Sequence, residues 1–262
     1  MVVDVSFVRG SFVLLFKKLV EYKANFLIVF SAQIIHMIVY WLMMIFLFDN
    51  FYDLGNWAFE EFVLFFILND FLIVFSGIFI WKNWISGSII KGDFNNYLTK
   101  PINPYLFFFF LNMNVDSIVF GIVASFLYFA VLFFYGVTLV NVFLGCGLLF
   151  LVFVFFVVVY EFFYSLDWIL VGLTQRVWKP YSSFNEIFRM YPGKFFENFK
   201  FRIFLFMSPL FFVATLVVPV FRGIEVVYFW EQICFLVGFS LILVGLTFFV
   251  WKYGLKRYEA FG

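Results

Sequence analysis

Residues 141–165 read NVFLGCGLLFLVFVFFVVVYEFFYS, a run whose only charged side chain is Glu161. A bilayer core is crossed by roughly 20 apolar residues in a helix, and this run is long enough. Inside lipid no water is present to pair with backbone N–H and C=O groups, so a spanning segment is either a helix or a strand of a closed barrel. Barrel strands alternate apolar with polar side chains at period two. This run shows no such alternation, so it is read as a transmembrane helix. Its many Phe residues, poor helix formers in water, are no obstacle where the backbone has no other way to satisfy itself.

Similar runs lie on both sides of it, at about 26–48, 59–80 and 117–136 before it and at about 228–251 after it. The whole chain follows suit: 66% of its residues are hydrophobic, 27% aromatic and 13% charged, with a mean hydropathy of +1.06. That is too little polar surface to coat a soluble globule, and the chain is read as an all-α, polytopic membrane protein. Ahead of the first span, residues 7–24 place Phe12, Phe16, Leu19 and Val20 on one side and Lys17, Lys18 and Glu21 on the other. This pattern predicts an interfacial helix lying along the membrane within segment 1–25. No cleavable signal is evident, so the first span reads as a retained anchor. Cys146 and Cys234 sit within apolar runs and read as small buried hydrophobes rather than as a disulfide. The stretch 166–221 is ambiguous. Only Ile203 to Phe221 is strongly apolar, and it contains Pro209 and Pro219; hydropathy alone makes it the remaining span.

Basic residues set the orientation, because they are retained on the cytoplasmic side of span ends. Arg9, Lys17, Lys18 and Lys23 precede the first span, Lys82, Lys91 and Lys100 fall in the loop 81–104, and Lys252, Lys256 and Arg257 mark the tail 252–262. The 49–61 connection carries Asp49, Asp53, Glu60 and Glu61 and no Lys or Arg. Six spans with both termini in the cytoplasm satisfy all of these, with Trp57, Trp81, Trp84, Trp230 and Trp251 near span ends as an aromatic belt. The expected location is the plasma membrane, and no nucleic-acid partner is expected.

Catalytic motifs are missing from the sequence. Gly193-Lys194 is followed by Phe195 where a phosphate-binding loop needs a hydroxyl, and there is no HExxH, CxxC pair or other metal-ligand spacing. No enzymatic activity and no bound cofactor or metal are expected of this chain. Polar residues inside spans are the remaining candidates, since an ionisable group there is costly and is functional by default. His36, with Gln33 a turn earlier, lies near the middle of the first span; Asn69 and Asp70 lie near the middle of the second. An antiparallel hairpin brings His36 and Asp70 to similar depth, either to lock the hairpin or to carry protons or substrate. The loop WKNWISGSIIKGDFNNYLTKPINP, 81–104, is the longest punctuated connection. Gly87 and Gly92 permit tight turns, Pro101 and Pro104 stop helices, and a short helix between them could dock on a partner. A solvated basic connector is the plainer reading of the loop taken alone.

The segment G-x(4)-G-x(5)-L-x-K-P-x-N-P, built from Gly87, Gly92, Leu98, Lys100, Pro101, Asn103 and Pro104 with Lys91 inside it, resembles the G-x-L-(D/N)-x-x-L-L-x-P-(I/V)-N-P segment of ABC-2 family permeases. The ending Trp251-Lys252-Tyr253-Gly254-Leu255-Lys256-Arg257-Tyr258-Glu259-Ala260 is similar to that family's W-x-x-G-L-R-R-Y-E-S. Tyr191-Pro192, Pro209 and Arg222-Gly223 resemble further landmarks in the same order. The resemblance implies an exporter-type transmembrane domain of six helices with an amphipathic N-terminal helix. It also implies a second permease subunit, identical or a sister chain, and a separately encoded ABC ATPase that binds ATP and Mg. The 81–104 loop would then house the coupling helix. It further implies a short re-entrant hairpin after Tyr191-Pro192, which makes 166–190 the fifth span, with Arg176, Lys179, Glu186 and Arg189 facing protein or water. Hydropathy instead leaves 166–202 in the cytoplasm, where these charges cost little.

Alternating access driven by the partner ATPase is the mechanism this implies. Aromatic spans suit a lipid-like cargo, but the abundant Phe is equally explained by genome base composition or by lipid-facing packing. A proton-driven carrier using His36 and Asp70 is the rival; it predicts inverted repeats, and none is visible. A membrane scaffold is a second rival and gives no reason for a long punctuated loop.

Overall fold

The computed structural model describes residues 58–79, 85–100, 103–112, 138–166, 174–190 and 205–258, together with isolated positions elsewhere. The expected interfacial helix, most of the first span with His36, most of the 117–136 span, Pro101 and Tyr191-Pro192 lie outside the described residues. Among the described residues the order is α1 (Phe59–Phe79), α2 (Ile85–Ile90), α3 (Asn95–Leu98), α4 (Pro104–Asn112), α5 (Leu139–Ser165), α6 (Thr174–Met190), α7 (Pro209–Arg222) and α8 (Phe229–Arg257).

α5 is the axis. Thr138 caps its N-terminus by accepting the Asn141 amide on Oγ1, and at 1.5 Å per residue the helix is about 40 Å long. α8 packs along it, and α1, α6 and α7 pack on its other sides. α5 and α8 are each long and apolar enough to cross a bilayer. Glu231 in the first turn of α8 and Lys256 and Arg257 in the last complement the helix dipole. That helix continues well past 251, so the basic residues read as a tail are partly its final turns.

α1 carries apolar residues on every face, and the packing explains why: each residue from Glu61 to Asp70 is buried. A helix hydrophobic all round belongs in the interior. α7 is covered almost as fully, from Pro209 to Val218 except at half-buried Thr215, and again at Phe221. It has a break in its middle, because residues Val213–Val217 form a π-turn. Pro219 has no N–H to give the carbonyl four residues back, and its ring would strike that carbonyl in a regular helix; the wider turn relieves both problems. Gly223 ends α7 in the left-handed region at φ 68°, and a Cβ there would stand 2.8 Å from Asn141 Nδ2. Only glycine meets both demands.

The ambiguous stretch 166–221 contains α6 and α7, which pack one after the other. Tyr181 in α6 stacks on Phe163 near the C-terminal end of α5, with ring centroids 4.4 Å apart. Further along α6, Arg189 reaches Asp70 in the middle of α1. α7 begins where α6 leaves off, since Phe188 meets Phe211 edge-on at 5.8 Å and Phe212 meets Phe155 at 5.9 Å. It ends beside the start of α1, where Arg222 donates to Glu60 at 2.6 Å. The charged α6 therefore packs against α1, α5 and α7.

Candidate functional site

Two groups of residues stand apart from the aliphatic and aromatic packing. The first is the loop 85–100. α2 runs through Gly87, which is helical and takes no special backbone angle; the tight turn belongs to Gly92, at φ 75°. Around that turn the amides of Lys91 and Phe94 donate to the carbonyls of Gly87 and Ser88 at 3.2 and 3.1 Å. α3, between Gly92 and Pro101, follows immediately. Pro104 does not act as a helix stop. It is the first residue of α4, where its missing N–H costs nothing, and Asn103 caps the helix by accepting the Tyr105 amide on Oδ1 at 2.9 Å.

The loop is anchored from beneath. Ile89, Phe94 and Phe108 are buried together with Tyr164, Val250 and Trp251, and Phe94 packs against Tyr97, Tyr258 and Trp251 with ring centroids 5.4, 5.4 and 6.5 Å away. Tyr105 reinforces the floor: its ring meets Trp251 at 4.9 Å and its hydroxyl donates to Glu161 Oε2 at 2.9 Å. The outward side is different in kind. Ile90 is 59% exposed and Leu98 38%, and Gly87, Lys91, Asp93, Asn95, Asn96 and Lys100 are exposed beside them. Anchored aromatics below and exposed apolar and basic side chains above make a firm platform.

The second group lies between α1, α6 and the start of α7. Arg189 contacts Asp70 at 3.6 Å and Glu186 at 3.7 Å. Asn185 Oδ1 accepts the Ser208 hydroxyl at 2.6 Å, and the Tyr181 hydroxyl donates to the Met207 carbonyl at 3.2 Å. Tyr181, Asn185 and Arg189 follow one another at i, i+4 and i+8, so one face of α6 presents all three. Of the residues singled out in the sequence, Asp70 and Glu186 are brought together through Arg189. His36 lies outside the described residues, and Arg176 lies on α6 with its side chain outside them. Asn69 is buried, and neither its amide oxygen nor its nitrogen has a hydrogen-bond partner. Asn185, Ser208 and Tyr181 were missed; the four-residue spacing of Tyr181, Asn185 and Arg189 is the signal that could have found them.

The family model described as "ABC-2 family transporter protein" matches residues 34–262. No curated protein and no solved structure matches the chain. The matched span covers α1 to α8 in full and so takes in both groups described above.

Proposed function

Because the chain belongs to the ABC-2 family of transporter proteins, we propose that it forms an exporter-type transmembrane domain of six spans, with both termini in the cytoplasm of a plasma-membrane complex. As an ABC transporter permease it is the membrane-embedded transport component and works with an ABC ATPase. That ATPase, a separate chain, holds ATP and Mg. A second permease subunit, identical or a sister chain, completes the pathway.

The platform at 85–100 is the single observation that supports this reading most. A coupling element has to be rigid toward its own membrane domain, or the partner's movement is lost in bending. It also has to offer side chains that a partner can grip. Phe94 and Ile89 supply the first property, and exposed Ile90, Lys91, Leu98 and Lys100 supply the second. Gly92 shapes the turn, Asn103 and Pro104 start α4 directly behind it, and Gly87, exposed on α2, leaves room for close approach. ATP-driven closure of the ATPase dimer pushes on this surface, and the permease alternates between two arrangements that the contact favours unequally.

The test is co-purification in mild detergent with the ATPase from the native host. Ile90→Glu combined with Leu98→Glu changes only exposed side chains, so the permease should still insert and elute as before while ATPase recovery falls at least tenfold. Undiminished ATPase recovery with the double variant rules the platform out as the coupling surface; no ATPase with the unaltered chain overturns the transporter reading itself.

The alternative is a proton-driven carrier through His36 and Asp70, in which Asp70 would have to work beside Arg189, 3.6 Å away.

A further inference from the structure

We propose that the last two turns of α8 hold an anionic phospholipid, its headgroup phosphate received by Lys252, Lys256 and Arg257 and its acyl chains lying on the helix face that leads up to them. This rests on the reading of the chain as a membrane-embedded permease and adds a lipid partner to it.

α8 has two unlike sides. At about 100° per residue, Leu243, Thr247, Val250, Trp251 and Gly254 fall on one side, and all are buried. Trp230, Leu241, Phe248 and Phe249 fall on the other, and all are exposed, Phe248 by 64% and Phe249 by 66%. Lys252 stands at i+4 from Phe248 and Lys256 at i+4 from Lys252, so both ammonium groups continue the exposed stripe. The stripe is apolar for most of its length and basic at its end. Arg257 lies at its edge, exposed, with the guanidinium 4.4 Å above the Tyr253 ring, and Tyr253 in turn stacks on Phe249 at 6.4 Å. Among the described residues none of these three cations makes an ion pair.

The spacing along the helix matches a bilayer. From Trp230 to Lys252 the rise is about 33 Å at 1.5 Å per residue, against roughly 30 Å for the hydrocarbon core. With the Trp230 indole at one interface, Lys252 stands at the other, and Lys256 and Arg257 extend a turn further into the headgroup layer. An acyl chain resting on Phe248 and Phe249 therefore ends, at its phosphate, among three positive charges. A zwitterionic headgroup brings a cation of its own into that cluster; an anionic one does not, and is the better match.

Other occupants fit this face less well. The opposite side of the same turns meets the platform, since Trp251 and Tyr258 pack on Phe94 at 6.5 and 5.4 Å, so the stripe is turned away from the surface offered to the ATPase. An identical permease subunit inserted in the same orientation would set its own Lys252 and Lys256 at the same depth against these, and like charges repel.

The test places the complex of permease and ATPase in nanodiscs of phosphatidylcholine and phosphatidylglycerol in equal amounts. One lipid or the other carries a diazirine near the glycerol end of its acyl chain, and labelled peptides are mapped by mass spectrometry. Segment 246–258 should be labelled at least about threefold more through phosphatidylglycerol than through phosphatidylcholine. In the unaltered chain, about 0.5 M salt should bring the two toward equality. Lys252→Gln combined with Lys256→Gln and Arg257→Gln, which changes exposed side chains only, should do the same, while Lys252→Arg with Lys256→Arg should keep the preference. Equal labelling at low salt, a preference that survives the triple variant, or one lost in the arginine variant overturns the proposal. Absence of label from either lipid overturns it in favour of a second subunit over this face, and loss of the ATPase from the triple variant overturns it in favour of that partner. ATPase recovered with the unaltered chain shows that any of these failures leaves the permease reading standing.

Discussion

Gly145 shows how little slack the interior has at single residues. A Cβ at this position would stand 2.6 Å from the ring of Phe221, so Gly145→Ala should lower stability by about 1–3 kcal/mol through overpacking. Gly147, two residues on in the same helix, has nothing within 4 Å. Gly147→Ala should be neutral or stabilising by up to about 1 kcal/mol, and melting both variants in one detergent compares them directly. Asn69 makes an opposite case. Its buried amide is unpaired at both ends, so Asn69→Leu should stabilise the fold by about 1–3 kcal/mol; a loss of stability would mean that the amide is bonded in the membrane. Asp70 and Arg189 are a third. Arg189→Met takes the guanidinium from a buried carboxylate and should cost about 3 kcal/mol, while the double variant Asp70→Asn with Arg189→Met should recover most of it. Asp70 was legible from the sequence as a costly intramembrane charge. Its contact with Arg189 was not, because a partner so far along the chain leaves no local periodicity to read.

Elements were legible to the extent that hydropathy alone decides them. The 141–165 and 228–251 runs lie within α5 and α8, and 59–80 matches α1, because an unbroken apolar run in lipid has one way to pair its backbone. Where proline or charge interrupts the run, reading by hydropathy misleads. Pro104 stands at a helix start where a stop was expected, a distinction that depends on Asn103 capping the turn. The charges of α6 gave no hint of its neighbours: the helix packs beside α5 and α7, and Arg189 reaches Asp70 of α1. The platform at 85–100 carries its own prediction. Phe94 is fully buried at the junction of α2 and α3, and Phe94→Ala should remove about 3–5 kcal/mol of local packing. Trypsin should then cut at Lys91 at concentrations that leave the unaltered chain intact, and ATPase recovery should fall although no exposed contact has been changed.

For the whole molecule, the topology makes a direct prediction. In a cysteine-free background that replaces Cys146 and Cys234, Asp53→Cys should react with a membrane-impermeant maleimide added to intact cells, and Asn96→Cys only after permeabilisation. Reaction of both from one side would refute the proposed six-span arrangement. The pairing of Glu60 with Arg222 also has a meaning for how the chain is made. The two residues are 162 positions apart, and at about 5–20 residues per second the ribosome needs roughly 10–30 s to go from one to the other. During that interval α1, with its two neighbouring glutamates, Asn69 and Asp70, exists before α7, the helix whose end supplies Arg222, has been made. Its biogenesis therefore includes a waiting period in which α1 stands without the helix that closes over it, and a chaperone that shelters polar transmembrane segments would govern the yield of the whole.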